Sequence, residues 1–169
     1  MKIFLIGFMG AGKTTLGKEL SRKMMIPFFD LDHIIEEGEN LSIPDIFRKM
    51  GEESFRVLEG KYLKEYPFPD TYILSAGGGT PCFFDHMDYM NQIGHTFYLQ
   101  LSPKSLANRL MNAKDPIRPL INDKTGDELI LFIEEKLKER EKFYLKAHTV
   151  LKGENLKAED ISVLLKPLL

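Results

Sequence analysis

Gly7-Phe8-Met9-Gly10-Ala11-Gly12-Lys13-Thr14 is the stretch from which the fold can be read. It matches the pattern G-x-x-x-x-G-K-[ST], and its neighbours supply the context that the pattern requires. Residues 2–6 form a short β-branched and aromatic run that reads as a buried strand, while residues 14–25 are helix-like, with Leu16 and Leu20 four apart. A loop that wraps phosphates must turn its backbone N–H groups inward, which favours residues without bulky side chains; Gly7, Gly10, Ala11 and Gly12 meet that need. The helix beyond adds its N-terminal dipole. Lys13 brings a point charge to the β and γ phosphates, the Thr14 hydroxyl suits Mg²⁺, and Thr15 extends the cradle. Nucleotide binding follows.

The same stretch has the outline of a signal peptide, since Met1-Lys2 is followed by uncharged residues as far as Gly12. Three glycines interrupt it, it ends in Lys13, it lacks a small-x-small cleavage site, and it is roughly half the length of a bilayer span. A strand entering a glycine loop is the better reading. Outward from it, extended and helical patterns alternate. A strand starts at residues 27–29, a helix capped by Ser42 starts at Pro44, and another helix covers residues 52–66. Strands at residues 72–75 and 96–101 follow, then a helix from Pro103 to Asn112 capped by Ser102. Thr125-Gly126-Asp127-Glu128 reads as a capping box opening a long helix to about His148, before a short strand at Val150-Leu151 and a terminal helix. Strands separated by helices imply a mostly parallel sheet covered on both faces, with ligands gathered at the carboxyl ends of the strands.

Composition narrows the classes. With 169 residues, 43% hydrophobic and 28% charged, the chain suits one globular domain. Lys and Arg number 23 against 25 Asp and Glu, so the net charge of -2 exerts no general pull on nucleic acid or an anionic membrane. Any bound anion must be held by local geometry. The lone Cys82 excludes an intrachain disulfide and a cysteine zinc site, in keeping with a cytoplasmic setting, and the four His residues lack ligand spacing. No run approaches 18 apolar residues, so no membrane span is expected. An N-K-x-D guanine motif is missing, and the chain is short for a large motor ATPase. A small kinase acting on a small acceptor fits.

Candidate acceptor residues sit at strand ends. Asp30 and Asp32 flank Leu31 after the second strand, and a period of two would point both carboxylates the same way, one toward a metal and one toward an acceptor hydroxyl. Solvated loop carboxylates are the plainer reading. Ser75-Ala76-Gly77-Gly78-Gly79 places three glycines after a buried strand, either as a tight turn or where backbone approaches a ligand. Arg140 falls within the apolar stripe Ile133, Leu137, Tyr144, and an inward guanidinium needs an anion. That anion is a buried protein carboxylate or a substrate carboxylate. Arg56 could supply a second fork. Residues 112–124 form a polar, aperiodic segment, a lid or an irregular connection, in which Arg118 would reach phosphates on closure.

Taken together, residues 7–15, Phe28 to Asp32, Gly51-Glu52-Glu53-Ser54-Phe55-Arg56, Ser75 to Gly79, Ile117-Arg118-Pro119-Leu120 and Arg140-Glu141-Lys142-Phe143-Tyr144 resemble the shikimate kinase family. The resemblance runs in order from residue 2 to about residue 150. It implies an α/β, three-layer, nucleoside-monophosphate-kinase-like fold with a five-stranded parallel sheet, a helical substrate-binding segment near residues 32–62 and a lid near residues 112–124 within one domain. The implied reaction is MgATP-dependent phosphorylation of the shikimate 3-hydroxyl on the route to chorismate, by a monomer that binds neither nucleic acid nor membrane. Asp32 would bind the acceptor hydroxyls and assist proton removal; Arg56 and Arg140 would hold the carboxylate, with Gly78 and Gly79 offering N–H groups. Thr14 and Asp30 would serve Mg²⁺, and Lys13 and Arg118 would stabilise the transferring phosphoryl group. Two departures stand out. Leu31 replaces a small polar residue, and Lys152-Gly153-Glu154-Asn155 departs from the usual adenine-side sequence. Two rivals are another small-metabolite kinase, such as a gluconate kinase, and a nucleotide-sensing module without catalysis.

Overall fold

The computed structural model describes residues 1–113 and 124–166. Its central strand, β1 (Lys2–Ile6), is apolar along most of its length because both faces are covered. Ile3 and Leu5 point into one core, Phe4 and Ile6 into the other, as the period of two requires. The chain then runs α1 (Lys13–Met24), β2 (Phe28–Asp30), α2 (Leu31–Glu39), α3 (Ile43–Glu65), β3 (Tyr72–Ser75), a 3₁₀ turn (Thr80–Cys82) and α4 (His86–Ile93). It continues through β4 (His95–Gln100), α5 (Pro103–Asn112), α6 (Gly126–Tyr144), β5 (Thr149–Lys152) and α7 (Ala158–Leu165).

The five strands pair in parallel in the order β2-β3-β1-β4-β5. On one face, Leu16 and Leu20 of α1, Leu106 of α5, Ile133 of α6 and Ile161 of α7 close over Ile3, Leu5, Phe97 and Leu99. On the other, Ile34 and Ile35 of α2, Phe55 of α3, Met90 of α4 and Tyr144 of α6 cover Phe4, Tyr72, Leu74 and Tyr98. The chain leaves β1 toward β2 and β3 on one side, then crosses to β4 and β5 on the other. This reversal opens a crevice at the carboxyl end of β1, the place where doubly wound sheets bind ligands.

The elements follow the expected rhythm, with local differences. The predicted helices at Pro44 and at residues 52–66 join into α3, bent at Gly51, whose φ of 81° and ψ of 169° are open in practice only to glycine. Asp30 and Asp32 do not share a strand: Asp30 ends β2 and caps α2, accepting from the Asp32 N–H at 3.2 Å, so the period-two argument fails there. Leu31 points into the core, fully buried. The long helix stops at Tyr144 rather than near His148, and the Thr125 side chain forms no cap. Neither α2 nor α4 was anticipated from periodicity. Among the described residues, no helix is long and apolar enough to cross a membrane.

Candidate active site

The phosphate loop spans the turn between β1 and α1. Gly12, at φ 91°, is the N-cap of α1, so the first N–H groups of the helix have no side-chain cap and face the loop's mouth. The Ala11 N–H donates to the Phe8 carbonyl at 3.1 Å, and Lys13 Nζ donates to the carbonyls of Gly7 and Phe8 at 2.8 and 3.0 Å, folding the lysine over the loop. Thr14 Oγ1 donates to Asp30 Oδ2 at 2.8 Å. The hydroxyl and carboxylate proposed for a metal are therefore adjacent. Mg²⁺ usually takes one or two carboxylates and keeps waters, so this hard oxygen pair beside a phosphate cradle suits it.

Loop, β2 end and glycine run open into one cavity of about 950 Å³. Lys13, Thr14, Thr15, Asp30, Asp32, Arg56, Gly78, Gly79 and Arg140 all line it, together with Gly10 and Gly12. Ala11 lines a smaller recess of about 280 Å³, which Thr15 and Arg109 share and which Glu154 and Asn155 close. Arg109 reaches the Ala11 carbonyl at 3.4 Å and also donates to the Glu154 carbonyl, tying α5 to both sides of that recess. Arg118 lies outside the described residues, as does most of the expected lid.

Burial, with Asp30 and Glu59 adding repulsion and Lys13 opposing it, pushes the Asp32 carboxyl up to about 7. Glu59 belongs to this carboxylate group, because a Cβ placed on Gly77 would lie 2.9 Å from Glu59 Oε1 and 3.0 Å from Asp32 Oδ1. An acid that titrates near neutrality beside the acceptor cavity is suited to taking a proton from a hydroxyl.

Two arginines line the cavity wall beside Glu59 and the glycine run. Arg56 is nearly inaccessible; it donates to Glu59 at 2.7 Å and to Glu52 at 3.0 and 3.3 Å. These bonds use three of its five N–H groups and leave two for a ligand. Its guanidinium sits against Gly79, where an added Cβ would come within 2.5 Å of it. Arg140 is 9% exposed, yet no ion pair joins it to a carboxylate among the described residues. It faces the Phe8 ring at 5.5 Å and lies beside Gly78. One turn on, Tyr144 donates its hydroxyl to the Gly78 carbonyl, so α6 holds the glycine run from the same face. Glu59 and Thr80 were not singled out from sequence, and Tyr144 entered only as part of the apolar stripe. An acid three residues after a buried Arg on a helix was the available signal for Glu59.

Cys82 adjoins this wall half-buried, and burial pushes its thiol up to about 11, against thiolate reactivity. His86 is buried and His95 stacks on His148. No group of three or more acidic, His or Cys side chains forms a metal cluster among the described residues.

A phosphate loop at the reversal of a parallel sheet, opening onto a cavity with a tuned carboxylate and buried arginines, defines a P-loop kinase of small molecules. The family model described as shikimate kinase matches residues 9–168. A shikimate kinase of Phocaeicola vulgatus is 48% identical over 155 residues, covering 92% of this chain and 88% of its own. The crystal structure of shikimate kinase from Bacteroides thetaiotaomicron superposes with a TM-score of 0.91 at 41% identity, covering 99% of this chain and 98% of that one. Shikimate kinase from Acinetobacter baumannii, solved in complex with shikimate, gives 0.85 at 31% identity, with 99% and 92% covered. The chain belongs to the shikimate kinase family.

Proposed function

We propose that this enzyme transfers the γ-phosphoryl group of ATP to the 3-hydroxyl of shikimate, giving shikimate 3-phosphate and ADP, a step in making chorismate and the aromatic amino acids. Arg140 carries the reading: a buried guanidinium that forms no ion pair with a carboxylate among the described residues, on the wall of the cavity that Asp32 also lines, calls for an anionic acceptor. The substrate carboxylate bridges Arg140 and the two open N–H groups of Arg56, while Gly78 and Gly79 let the ring approach the backbone. Asp32 then orients the 3-hydroxyl and takes its proton.

ATP lies with its phosphates on the N–H groups of residues 10–15 and its base toward the recess between Arg109 and Glu154. Lys13 exchanges the loop carbonyls for phosphate oxygens, and Arg118 joins it from the lid to offset charge on the transferring group. Mg²⁺, held by Thr14 and through Asp30, would supply further charge neutralisation. The enzyme acts as a monomer with one kinase domain, its acceptor segment at residues 32–62 and its lid at residues 112–124. The near-neutral charge and single cysteine favour a cytoplasmic enzyme without nucleic-acid or membrane partners.

Phosphorus NMR of the product tests the reading. One phosphomonoester on the 3-oxygen of shikimate is expected, formed only while free Mg²⁺ is present. Phosphate on another hydroxyl, or turnover undiminished by a chelator, contradicts it.

A further inference from the structure

The buried pair Arg56 and Glu59 is itself held from behind. Thr80, fully buried in the 3₁₀ turn after the glycine run, donates its hydroxyl to Glu59 Oε1 at 2.5 Å. The other carboxylate oxygen of Glu59 receives Arg56. Thr80 is anchored by its backbone on both sides: its N–H donates to the Gly77 carbonyl at 3.1 Å, and its own carbonyl accepts from His86 Nδ1 at 3.1 Å. His86 is 1% exposed, and its ring packs on α3 next to Glu59, where a Cβ on Gly60 would meet Nε2 at 2.6 Å. The chain of contacts therefore runs from α4 through the turn to α3 and ends at the cavity wall.

We propose that Thr80, backed by His86, is a positioning residue for the acceptor: its hydroxyl orients Glu59, and Glu59 in turn aims Arg56 at the substrate carboxylate. The physical reason lies in the carboxylate's two oxygens. With Thr80 on one and Arg56 on the other, Glu59 cannot rotate without breaking a charge-assisted bond in a dry environment. Without the hydroxyl, one oxygen is buried unsatisfied near Asp32, and the carboxylate turns to find another partner, loosening its hold on Arg56. The phosphate loop shares none of these contacts, so nucleotide binding is unaffected.

This inference rests on the assignment of shikimate as acceptor and Arg56 as one of its carboxylate ligands. Steady-state kinetics of the full chain test it with Thr80→Val, which keeps the branched shape, and Thr80→Ser, which keeps the hydroxyl. Thr80→Val should raise the KM for shikimate about tenfold, as expected for losing a hydrogen bond to a charged group, with the KM for ATP unchanged. Thr80→Ser should stay within about threefold of the parent. Thr80→Ala, which introduces no new methyl group, is the second probe should Thr80→Val fail to fold, and must show the same selective rise. In an Arg56→Lys background, Thr80→Val should add little. An unchanged shikimate KM, an equal rise in both KM values, or a Thr80→Ser variant as impaired as Thr80→Val overturns the proposal. Loss of shikimate turnover in the parent enzyme would instead remove the acceptor assignment beneath it.

Discussion

Arg56 holds a carboxylate, Glu59, that is fully buried, so Arg56→Ala strands that charge and should cost about 3–5 kcal/mol. Arg140→Ala strands no ion-paired carboxylate among the described residues. Arg140→Ala should leave the denaturation midpoint close to the parent's while raising the KM for shikimate about a hundredfold, in line with losing a charged, bidentate contact, and sparing ATP. Chemical denaturation beside initial-rate kinetics checks both; a large stability loss at Arg140 would point to a protein partner for it. Asp32 adds a pH signature. Its folded-state value near 7 lies above the ordinary carboxylate range, so the folded state loses stability as pH rises from about 4 to 7, where the unfolded chain alone releases the proton. Asp32→Asn should therefore gain about 1–3 kcal/mol at pH 8 and almost nothing at pH 4 while losing activity. In the parent, kcat/KM for shikimate should fall about tenfold per pH unit below the Asp32 value. Of these groups, Asp32, Arg56 and Arg140 were legible from residue type and spacing. Glu59 was marked only by its three-residue spacing from Arg56, and nothing in the sequence marked Thr80, because both acquire their role when α3 meets the turn after β3.

At the scale of elements, α3 shows how one backbone position sets a site. Its second half carries Phe55, Arg56 and Glu59, and its angle to the first half is fixed at Gly51, in a conformation that side chains avoid. A Cβ there would meet no neighbour, so Gly51→Ala should cost backbone strain alone, about 1–3 kcal/mol, and should also raise the shikimate KM by re-aiming Arg56. Urea titration with the same kinetics reads both effects. Strands and long helices were legible because buried strands read as continuous apolar runs and Ser42 and Ser102 cap their helices as expected. The missed helices are short. In α2, Leu31, Ile34 and Ile35 form a face of only one turn, directly after a strand that ends on the helix's own cap, Asp30. In α4, Asp85 makes no side-chain cap to mark the start. Thr125 shows the reverse error, a capping sequence whose side chain does not cap.

For the whole molecule, the near-zero charge balance conceals a local concentration of charge at one cavity. Carboxylates from β2, α2 and α3 and guanidinium groups from α3 and α6 line one cavity, Arg56 paired with Glu59 within it, and the phosphate loop lies between β1 and α1. The parallel sheet brings these together because its strands all end on one edge, and the reversal of order at β1 opens a crevice there. That edge was foreseeable from alternation of strands and helices; the strand order was not, since it depends on which crossovers pack best over the two cores. The central claim is that this edge forms a kinase for one carboxylate-bearing acceptor. The most direct test is an acceptor comparison that follows ADP release from MgATP with shikimate, gluconate and nucleoside monophosphates supplied in turn. Saturable release with shikimate and background release with the others is the predicted result. Equal rates with all acceptors, or no turnover with shikimate, would contradict it.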